Sequence, residues 1–407
     1  MLFIFITYRN PVVLLPPFFG SNLWITYNNT NLPWYCPKSE NDKLLWLRAS
    51  YLLPHKINCM LKLMTSFIDE KGKIKDWPNS SVYIHDFGGD ESASYIIQTD
   101  LFHKKFGSSF VYFVEHFKKL GWEVKKDLFV AAYDWRIAPT FSESFWPDFK
   151  QLIEKAYKNN NDTKVVIIGF SQGGSMIQQF LTKHSTIEWK EKFISHVILI
   201  SPAFTGFVQD LYNLWMKEHP FAPFIHLDSL NTCFEQMPGV HAILPNEFIF
   251  KDATIAYGPD GEEYKGKDLR KLLMNHLLSN EHSRKIFEIT EETLSEPPSD
   301  IGVKTTLLMN SGVKTAIALN FSNGFNKRPI RIFSGGDGTL AAFGYKWVCN
   351  NWKNITCVDF NNSGDNYHHY PLISNNRVLN LISNITYYNQ VPKFEQDETF
   401  FKSNDES

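Results

Sequence analysis

The chain lacks the features that several large classes of protein require. No apolar run reaches the ~18 residues of a membrane-spanning helix. The formal net charge is only -2 over 407 residues, so the composition gives no electrostatic basis for binding nucleic acid. The sequence contains no Ca²⁺-binding loop motif and no internal repeat. These absences leave a globular protein, 43% hydrophobic and 21% charged, that is long enough to bury a large core.

Cysteine is also scarce. The chain has five cysteines, and none belongs to a C-x-x-C pair, which argues against a zinc site. Five cysteines allow two disulfides and one free thiol. Sequons of the form N-x-S/T begin at Asn28, Asn79, Asn161, Asn320, Asn354, Asn361 and Asn384. The cysteines and the sequons together favour a secreted, lysosomal or vacuolar protein.

The first ten residues, MLFIFITYRN, are apolar and resemble the middle of a signal peptide. They have no basic leader, and no small-residue cleavage site follows them. A truncated signal peptide and a first strand therefore both stay open as interpretations.

A serine stands at a strand-to-helix junction near the middle of the chain. The continuous apolar run Val165–Ile168 is typical of a strand that is buried on both faces. Apolar residues recur at helical spacing from Met176 to Leu181. Ser171 lies between them in G-x-S-x-G, where flanking glycines allow a sharp turn that exposes the hydroxyl. Ser171 is thus a candidate nucleophile, with a serine in an ordinary turn as the alternative.

Strand patterns alternate with helix patterns along the chain and predict an α/β fold. Helical periodicity in 110–122 and 144–160 separates apolar strands near 11–15, 126–133, 164–170 and 194–204. This order predicts a mostly parallel central sheet covered by helices on both faces. Ligands in such sheets bind at the carboxyl ends of the strands, and Ser171 is predicted to lie there.

A nucleophilic serine needs a base and an acid, and candidates follow it in the sequence. Asp337 comes directly after the strand pattern PIRIF, on a Gly-rich loop. Asp359 and Asp365 are rival acids, although neither ends a strand as cleanly. The histidines beyond Asp337 are His368 and His369, and the spacing alone does not choose between them.

Five segments together resemble one known family. These segments are PVVLLPPFFGSNLW, WYCPKSENDKLLWLRASYLLPHKINC, AAYDWRIAP, GGDGTL and HHYPLISN. They resemble the opening strand and oxyanion loop, the disulfide-closed loop, the Y-D-W-R-x-x-P signature, the acid loop and the terminal His segment of the lecithin:cholesterol acyltransferase family. That family includes lysosomal phospholipases and their acyltransferase relatives. AAYDWRIAP is the most specific of the five matches.

The resemblance implies an α/β-hydrolase fold and assigns roles to individual residues. Ser171 would be the nucleophile and Asp337 the acid. His368 would be the base, because it stands seven residues before the Asn of the terminal segment. The backbone N–H groups of Phe18 and Gln172 would form the oxyanion hole.

The resemblance also implies two disulfides and a lipid-contacting loop. Cys36 and Cys59 would close the loop of about 34–60. Membrane-contact residues expected in this loop are Trp46, Leu47 and Leu52. Cys349 would pair with Cys357, which replaces a missing upstream partner.

Three residues depart from the family pattern near the expected site. Pro17 stands where a glycine is usual, and Phe170 stands where a histidine is usual beside the serine. Gln172 replaces an apolar residue, although its backbone N–H can still serve. None of these changes removes a catalytic group, so we expect an active enzyme. The structural ion pair Asp134–Arg136 is expected near the site.

The resemblance predicts how the chain is divided. Residues 1–204 would form the N-terminal part of the hydrolase core, and 205–325 a cap or lid insertion. Residues 326–392 would complete the core, and 393–407 would be a polar tail.

The expected reaction cleaves a fatty acyl ester of a glycerophospholipid, with water or a lipid alcohol as acceptor. No cofactor and no metal is expected, and the chain is expected to be a monomer. The protein would lie peripherally on a phospholipid membrane or lipoprotein surface. A general carboxylesterase and a catalytically weakened lipid-binding protein remain the alternatives.

Overall fold

The structure is a computed structural model that describes residues 9–53, 55–98, 105–108, 110–217, 228–278, 280–388 and 399–402. The predictions for the first eight residues and for most of the tail 393–407 lie outside these ranges. No helix within the described ranges is long and apolar enough to cross a membrane. The same residues contain no cluster of three or more His, Cys, Asp or Glu side chains that could hold a metal ion.

The strands are short. In chain order they are β1 (Val12–Leu15), β2 (Leu23–Asn28), β3 (Ser39–Trp46), β4 (Phe67–Ile68), β5 (Ile74–Lys75), β6 (Ser80–Tyr83), β7 (Tyr95–Gln98), β8 (Lys105–Ser108), β9 (Leu128–Val130), β10 (Val165–Phe170), β11 (Ile194–Ile200), β12 (Thr254–Tyr257), β13 (Glu263–Lys265), β14 (Thr305–Met309), β15 (Val313–Asn320), β16 (Ile330–Gly336), β17 (Ile355–Asp359) and β18 (Thr399–Lys402).

The α-helices vary from one turn to four. In chain order they are α1 (Lys56–Met64), α2 (Glu91–Ser94), α3 (Val111–Lys119), α4 (Phe145–Asn159), α5 (Gln172–Lys183), α6 (Ile187–Phe193), α7 (Val208–Met216), α8 (Asp228–Glu235), α9 (Pro238–His241), α10 (Glu247–Phe250), α11 (Leu269–Leu272), α12 (Glu281–Thr290), α13 (Glu292–Ser295), α14 (Ala342–Asn351) and α15 (Asn376–Tyr388). Short 3₁₀ helices are Ala49–Leu52, Pro139–Phe141, Ala203–Thr205, Gly266–Asp268, Asp365–Tyr367 and Tyr370–Ser374, and Leu273–Leu277 is a π-helix.

A seven-stranded central sheet organises the fold, in the order β18-β17-β14-β11-β10-β1-β9. All neighbouring strands are parallel except the edge pair β17–β18. The carboxyl ends of β1, β10 and β11 therefore meet at one edge of the sheet. The predicted mostly parallel sheet is confirmed.

Each face of the central sheet buries its own hydrophobic core. Val12 and Leu14 face one core, which α3 and α15 cover, while Val13 and Leu15 face the other, which α4 and α5 cover. This alternation follows from the two-residue repeat of side-chain direction along a strand. A parallel sheet needs helices on both faces for this reason, and the long apolar runs of the sequence reflect it.

The predicted boundary of the cap insertion is wrong at its C-terminal end. Strand β14 falls inside the predicted insertion 205–325, yet it lies in the central sheet between β11 and β17. Strand β16, predicted to belong to the core, is instead at the edge of a smaller sheet with the order β13-β12-β15-β16. A five-residue buried strand such as β14 has no periodicity that separates it from a short helical segment.

The disulfide Cys36–Cys59 forms and closes a segment of 23 residues, and Cys349–Cys357 forms beside the central sheet. Cys233 is a buried free thiol, and burial raises its pKa to about 12.

The prediction that Trp46 and Leu47 contact a membrane is wrong, because their exposed fractions are only 6% and 5%. The Trp46 indole N–H donates to the Phe19 carbonyl at 3.2 Å, and the two rings stack. Leu52 is 41% exposed, as the prediction requires. The most exposed large apolar side chain on the segment flanking Cys36 is instead Trp34, at 94%.

Candidate active site

A strained turn places Ser171 above the central sheet. Ser171 has φ 54° and ψ -121°, between the end of β10 and the start of α5. The turn is possible because strand and helix approach very closely. A Cβ on Gly169 would lie 2.6 Å from Ile177, and one on Gly173 would lie 2.4 Å from the Leu15 carbonyl oxygen. Both positions therefore require glycine.

Ser171, His369 and Asp337 form one hydrogen-bonded chain. His369 Nε2 lies 3.0 Å from Ser171 Oγ, and His369 Nδ1 lies 2.8 Å from Asp337 Oδ2. All three side chains are buried, with exposed fractions of 6% or less. A hydroxyl, an imidazole and a carboxylate in this order can carry out acyl transfer, because the imidazole can accept the hydroxyl proton and the carboxylate fixes its tautomer.

The structure corrects the choice of histidine, because His369 and not His368 contacts Ser171 and Asp337. The backbone N–H of His369 donates to the Asp337 carbonyl at 2.8 Å, and His369 directly precedes the 3₁₀ helix Tyr370–Ser374. This turns His369 inward and leaves His368 exposed. The count of seven residues back from Asn375 fails by one residue.

The Asp337 carboxylate is held by several donors. Its Oδ1 accepts the backbone N–H groups of Thr339 at 2.9 Å and Leu340 at 2.7 Å. Burial raises the pKa of the Asp337 carboxyl, but His369 and these two N–H groups outweigh burial and hold the pKa below its ordinary value. Asp337 is therefore ionised over the physiological range and can stabilise a protonated imidazole.

The expected oxyanion loop lies beside Ser171. Phe18 and Ser171 line the same cavity, and Gln172 is the first residue of α5. The Tyr133 hydroxyl donates to the Pro16 carbonyl at 2.8 Å, and the Trp135 indole N–H donates to the Ser21 carbonyl at 3.0 Å. These two bonds hold the loop from both sides of Phe18.

The sequence signature AAYDWR therefore has a structural role at the site that sequence reasoning did not assign. Tyr133 and Trp135 position the loop, and the signature itself was the signal that could have identified them. The expected ion pair is confirmed, with Arg136 Nη2 at 2.6 Å from Asp134 Oδ2. Arg136 also contacts Asp76 Oδ1 at 2.6 Å, and its side chain is fully buried.

Two of the departures from the family pattern, Pro17 and Phe170, fit the local structure. Pro17 has its carbonyl bonded to the Gly20 N–H at 2.9 Å, which closes a tight turn in the loop. Phe170 packs against His369, with ring centroids 4.8 Å apart. The Phe170 ring thus contacts the imidazole and helps to hold its orientation.

A cavity of about 530 Å³ opens on the Ser171 hydroxyl and His369. Its other lining residues are Phe18, Phe19, Phe207, Gln209, Asp210, Tyr212, Asn213, Ile243, Arg328, Arg331, Gly338, Thr339 and Tyr370. Asp210 is the one carboxylic acid in this set. It is 5% exposed, and its Oδ2 has no hydrogen-bond partner among the described residues. Burial raises the pKa of Asp210 to about 8, so the carboxyl is largely protonated at neutral pH.

Comparison with known proteins places the chain in a family. The family model for lecithin:cholesterol acyltransferase matches residues 42–297, which is more than half of the chain. The chain belongs to the lecithin:cholesterol acyltransferase family. Ser171 lies inside the matched range, whereas Asp337 and His369 lie beyond its end. The resemblance identified from the sequence segments is confirmed.

Curated proteins of the lecithin:cholesterol acyltransferase type are similar along most of the chain. Lysosomal phospholipase A and acyltransferase from Bos taurus is 25% identical over 337 residues, which cover 82% of this chain and 80% of that protein. Lecithin-cholesterol acyltransferase-like 1 from Arabidopsis thaliana is 23% identical over 354 residues, covering 81% and 80%. Phosphatidylcholine-sterol acyltransferase from Rattus norvegicus is 22% identical over 358 residues, covering 85% and 77%.

Among solved structures, the crystal structure of the Tle4–Tli4 complex contains a similar fold. The TM-score is 0.54 at 12% sequence identity, and the match covers 94% of this chain and 99% of that chain. This similarity shows the fold alone. With the sheet topology above, it confirms the α/β-hydrolase fold that the family resemblance implies.

The raised pKa of Asp210 predicts that stability depends on pH. The unfolded chain loses this proton near the ordinary pKa of ~3.9, whereas the folded protein keeps it up to a pKa of about 8. The folded state thus binds more protons between these values. Its stability falls as the pH rises through this window, by up to ~1.4 kcal/mol per pH unit.

We therefore expect Asp210→Asn to gain stability over the wild type more at pH 8 than at pH 5. Melting temperatures of both proteins at pH 5, 6, 7 and 8 give the measurement. The other titrating groups are common to both proteins and cancel in the difference. A difference that stays constant across this range would contradict a raised pKa at Asp210.

Proposed function

We propose that this protein is a serine hydrolase and acyltransferase that cleaves a fatty acyl ester of a glycerophospholipid. The observation that carries the proposal is the hydrogen-bonded triad Ser171–His369–Asp337 in a member of this family, open to a cavity that is lined in part by apolar side chains. Relatives named as phospholipases and acyltransferases support an enzyme of that kind.

In the proposed first half-reaction, Ser171 Oγ attacks the ester carbonyl carbon while His369 Nε2 takes the hydroxyl proton. The carbonyl oxygen becomes an oxyanion that accepts the backbone N–H groups of Phe18 and Gln172. Such donors typically contribute a factor of roughly 10²–10³ each. The lysophospholipid then leaves with the proton from His369, and the acyl group remains on Ser171.

In the second half-reaction, His369 removes a proton from the acceptor, whose oxygen attacks the acyl-serine. The bond between the acyl carbon and Ser171 Oγ then breaks, and His369 returns the proton to Oγ. Water as the acceptor gives a free fatty acid and makes the protein a phospholipase A. A lipid alcohol gives a new ester and makes it an acyltransferase. The ratio of hydrolysis to acyl transfer depends on how well the cavity excludes water and holds an alcohol near Ser171.

An apolar surface beside the disulfide Cys36–Cys59 supports peripheral binding to a lipid surface. Its exposed fractions are 94% at Trp34, 39% at Tyr35, 41% at Leu52 and 53% at Leu53. Single exposed apolar side chains are ordinary, but four near one disulfide form a patch. Tryptophan suits a bilayer interface because it has an apolar body and one N–H for water. The disulfides and sequons support a secreted, lysosomal or vacuolar location.

Product analysis with acyl-labelled phosphatidylcholine vesicles tests the proposed reaction. We expect release of labelled fatty acid and lysophospholipid, and a labelled neutral ester when a lipid alcohol is added. Cleavage of short soluble esters without cleavage of vesicles would favour a general carboxylesterase. Failure to react with a fluorophosphonate at Ser171 would favour a lipid-binding protein without activity.

The adjacent histidines provide a matched test of the catalytic roles. His369→Ala should lower ester hydrolysis on the order of 10³-fold or more, about as much as Ser171→Ala, since the two groups act as a unit. His368→Ala should keep activity within a few-fold of the wild type. Steady-state rates on a short soluble ester measure all three. The reverse ranking of the two histidines would remove His369 from the mechanism.

Two tryptophans near the same disulfide separate membrane contact from core packing. Trp34→Ser should weaken vesicle binding and vesicle hydrolysis, and spare a short soluble ester and the melting temperature. Trp46→Ser should lower both activities and the melting temperature, because truncation of a buried Trp typically costs ~3–5 kcal/mol. Vesicle sedimentation, both assays and thermal melts measure these effects. Unchanged vesicle binding by Trp34→Ser would contradict the proposed contact surface.

A further inference from the structure

Two arginines line the same cavity as Ser171 and His369. Arg328 and Arg331 flank the start of β16, at the edge of the smaller sheet. Their guanidinium carbons lie 5.9 Å and 4.7 Å from the ring centroid of Tyr212, a residue of α7.

Arg331 has most of its hydrogen-bonding capacity free for a ligand. Its Nη1 donates to Gln209 Oε1 at 3.1 Å, which holds the guanidinium over Tyr212. A guanidinium has five N–H donors, and no carboxylate among the described residues pairs with Arg331. The centroid of the Phe333 ring lies 5.4 Å from its guanidinium carbon. The group is thus fixed in place by neutral partners.

The acid in the cavity does not cancel this positive charge. Asp210 is largely protonated at neutral pH, because burial raises its pKa to about 8. The cavity lining therefore keeps the positive charge of Arg331 at one part of its wall. Phe18, Phe19 and Ile243 line the same cavity as apolar groups.

We propose that Arg331 binds the phosphodiester of the substrate while its acyl ester lies at Ser171. This inference rests on the proposed function and specifies its substrate class. A phosphodiester carries one negative charge and two free oxygens, which match the planar fork of a guanidinium. The apolar side chains near Phe18 receive the acyl chain. Because only a phospholipid also carries a phosphodiester for Arg331, the cavity distinguishes a phospholipid from a neutral glyceride.

The test compares two short-chain lipids that carry the same acyl groups and differ in the phosphocholine headgroup. Dihexanoylphosphatidylcholine, kept below its critical micelle concentration, is compared with dihexanoylglycerol, so that no lipid surface is present. Arg331→Gln should lower kcat/KM about tenfold for the phospholipid, mainly through KM, and change it less than twofold for the glyceride. Loss of a charged hydrogen bond gives an effect of this order. Arg331→Lys should fall between, because it keeps the charge without the fork. Arg270→Gln, outside the cavity, is the control.

Binding of a non-hydrolysable dihexyl-ether phosphocholine separates this inference from the reaction itself. Titration calorimetry should show about tenfold weaker binding to Arg331→Gln than to the wild type, even if no ester is cleaved. Equal binding to the two proteins would overturn the phosphodiester site while leaving the proposed reaction standing. Inorganic phosphate that binds as tightly as the ether lipid, and is lost equally in Arg331→Gln, would show a site for free phosphate and overturn the lipid assignment.

Discussion

The close approach of strand and helix at Ser171 is the constraint on which the whole site depends. Ser171 adopts a φ of 54°, which costs on the order of 1–3 kcal/mol for such a residue. The turn persists because Gly169 and Gly173 let the backbone segments approach to distances that no side chain would permit. Hydrophobic cores on both faces of the sheet then fix β10 and α5 and offset the cost. The hydroxyl is thereby raised from the sheet edge toward His369.

The three groups of the hydrogen-bonded chain come from different parts of the fold. Ser171 follows a central strand, whereas Asp337 follows β16 of the smaller sheet. His369 joins them through its ring and also through its backbone N–H, which donates to the Asp337 carbonyl. The site is therefore complete only when the two sheets keep their relative position. The cavity wall also combines different parts of the fold, since Tyr212 belongs to α7 and Arg331 belongs to the smaller sheet.

The turn at Ser171 and the Gly-rich loop of Asp337 could be predicted from the sequence because both are local. Apolar runs, flanking glycines and helical spacing are sufficient to place them. His369 could not be distinguished from its neighbour, because the inward direction follows from a bond to a residue 32 positions away. The burial of Trp46 could not be predicted for a similar reason, because its hydrogen-bond partner Phe19 is distant in sequence. The strand β14 is too short for any periodic signal. Local patterns are thus sufficient to predict the position of Ser171, whereas long-range contacts determine the positions of His369, Trp46 and β14.

The bond from the Trp46 indole to the Phe19 carbonyl connects the disulfide-closed segment to the loop beside Ser171. Phe19 stacks on Trp46 and contacts Trp135, so the loop and the segment share one aromatic cluster. The side of the protein that bears Trp34 is thereby mechanically coupled to the loop that carries Phe18. Under the proposed function, a shift of this segment on contact with a lipid surface would move the loop that carries Phe18. Turnover in this protein would then respond to the physical state of the interface, including its curvature and lateral pressure, as well as to substrate concentration.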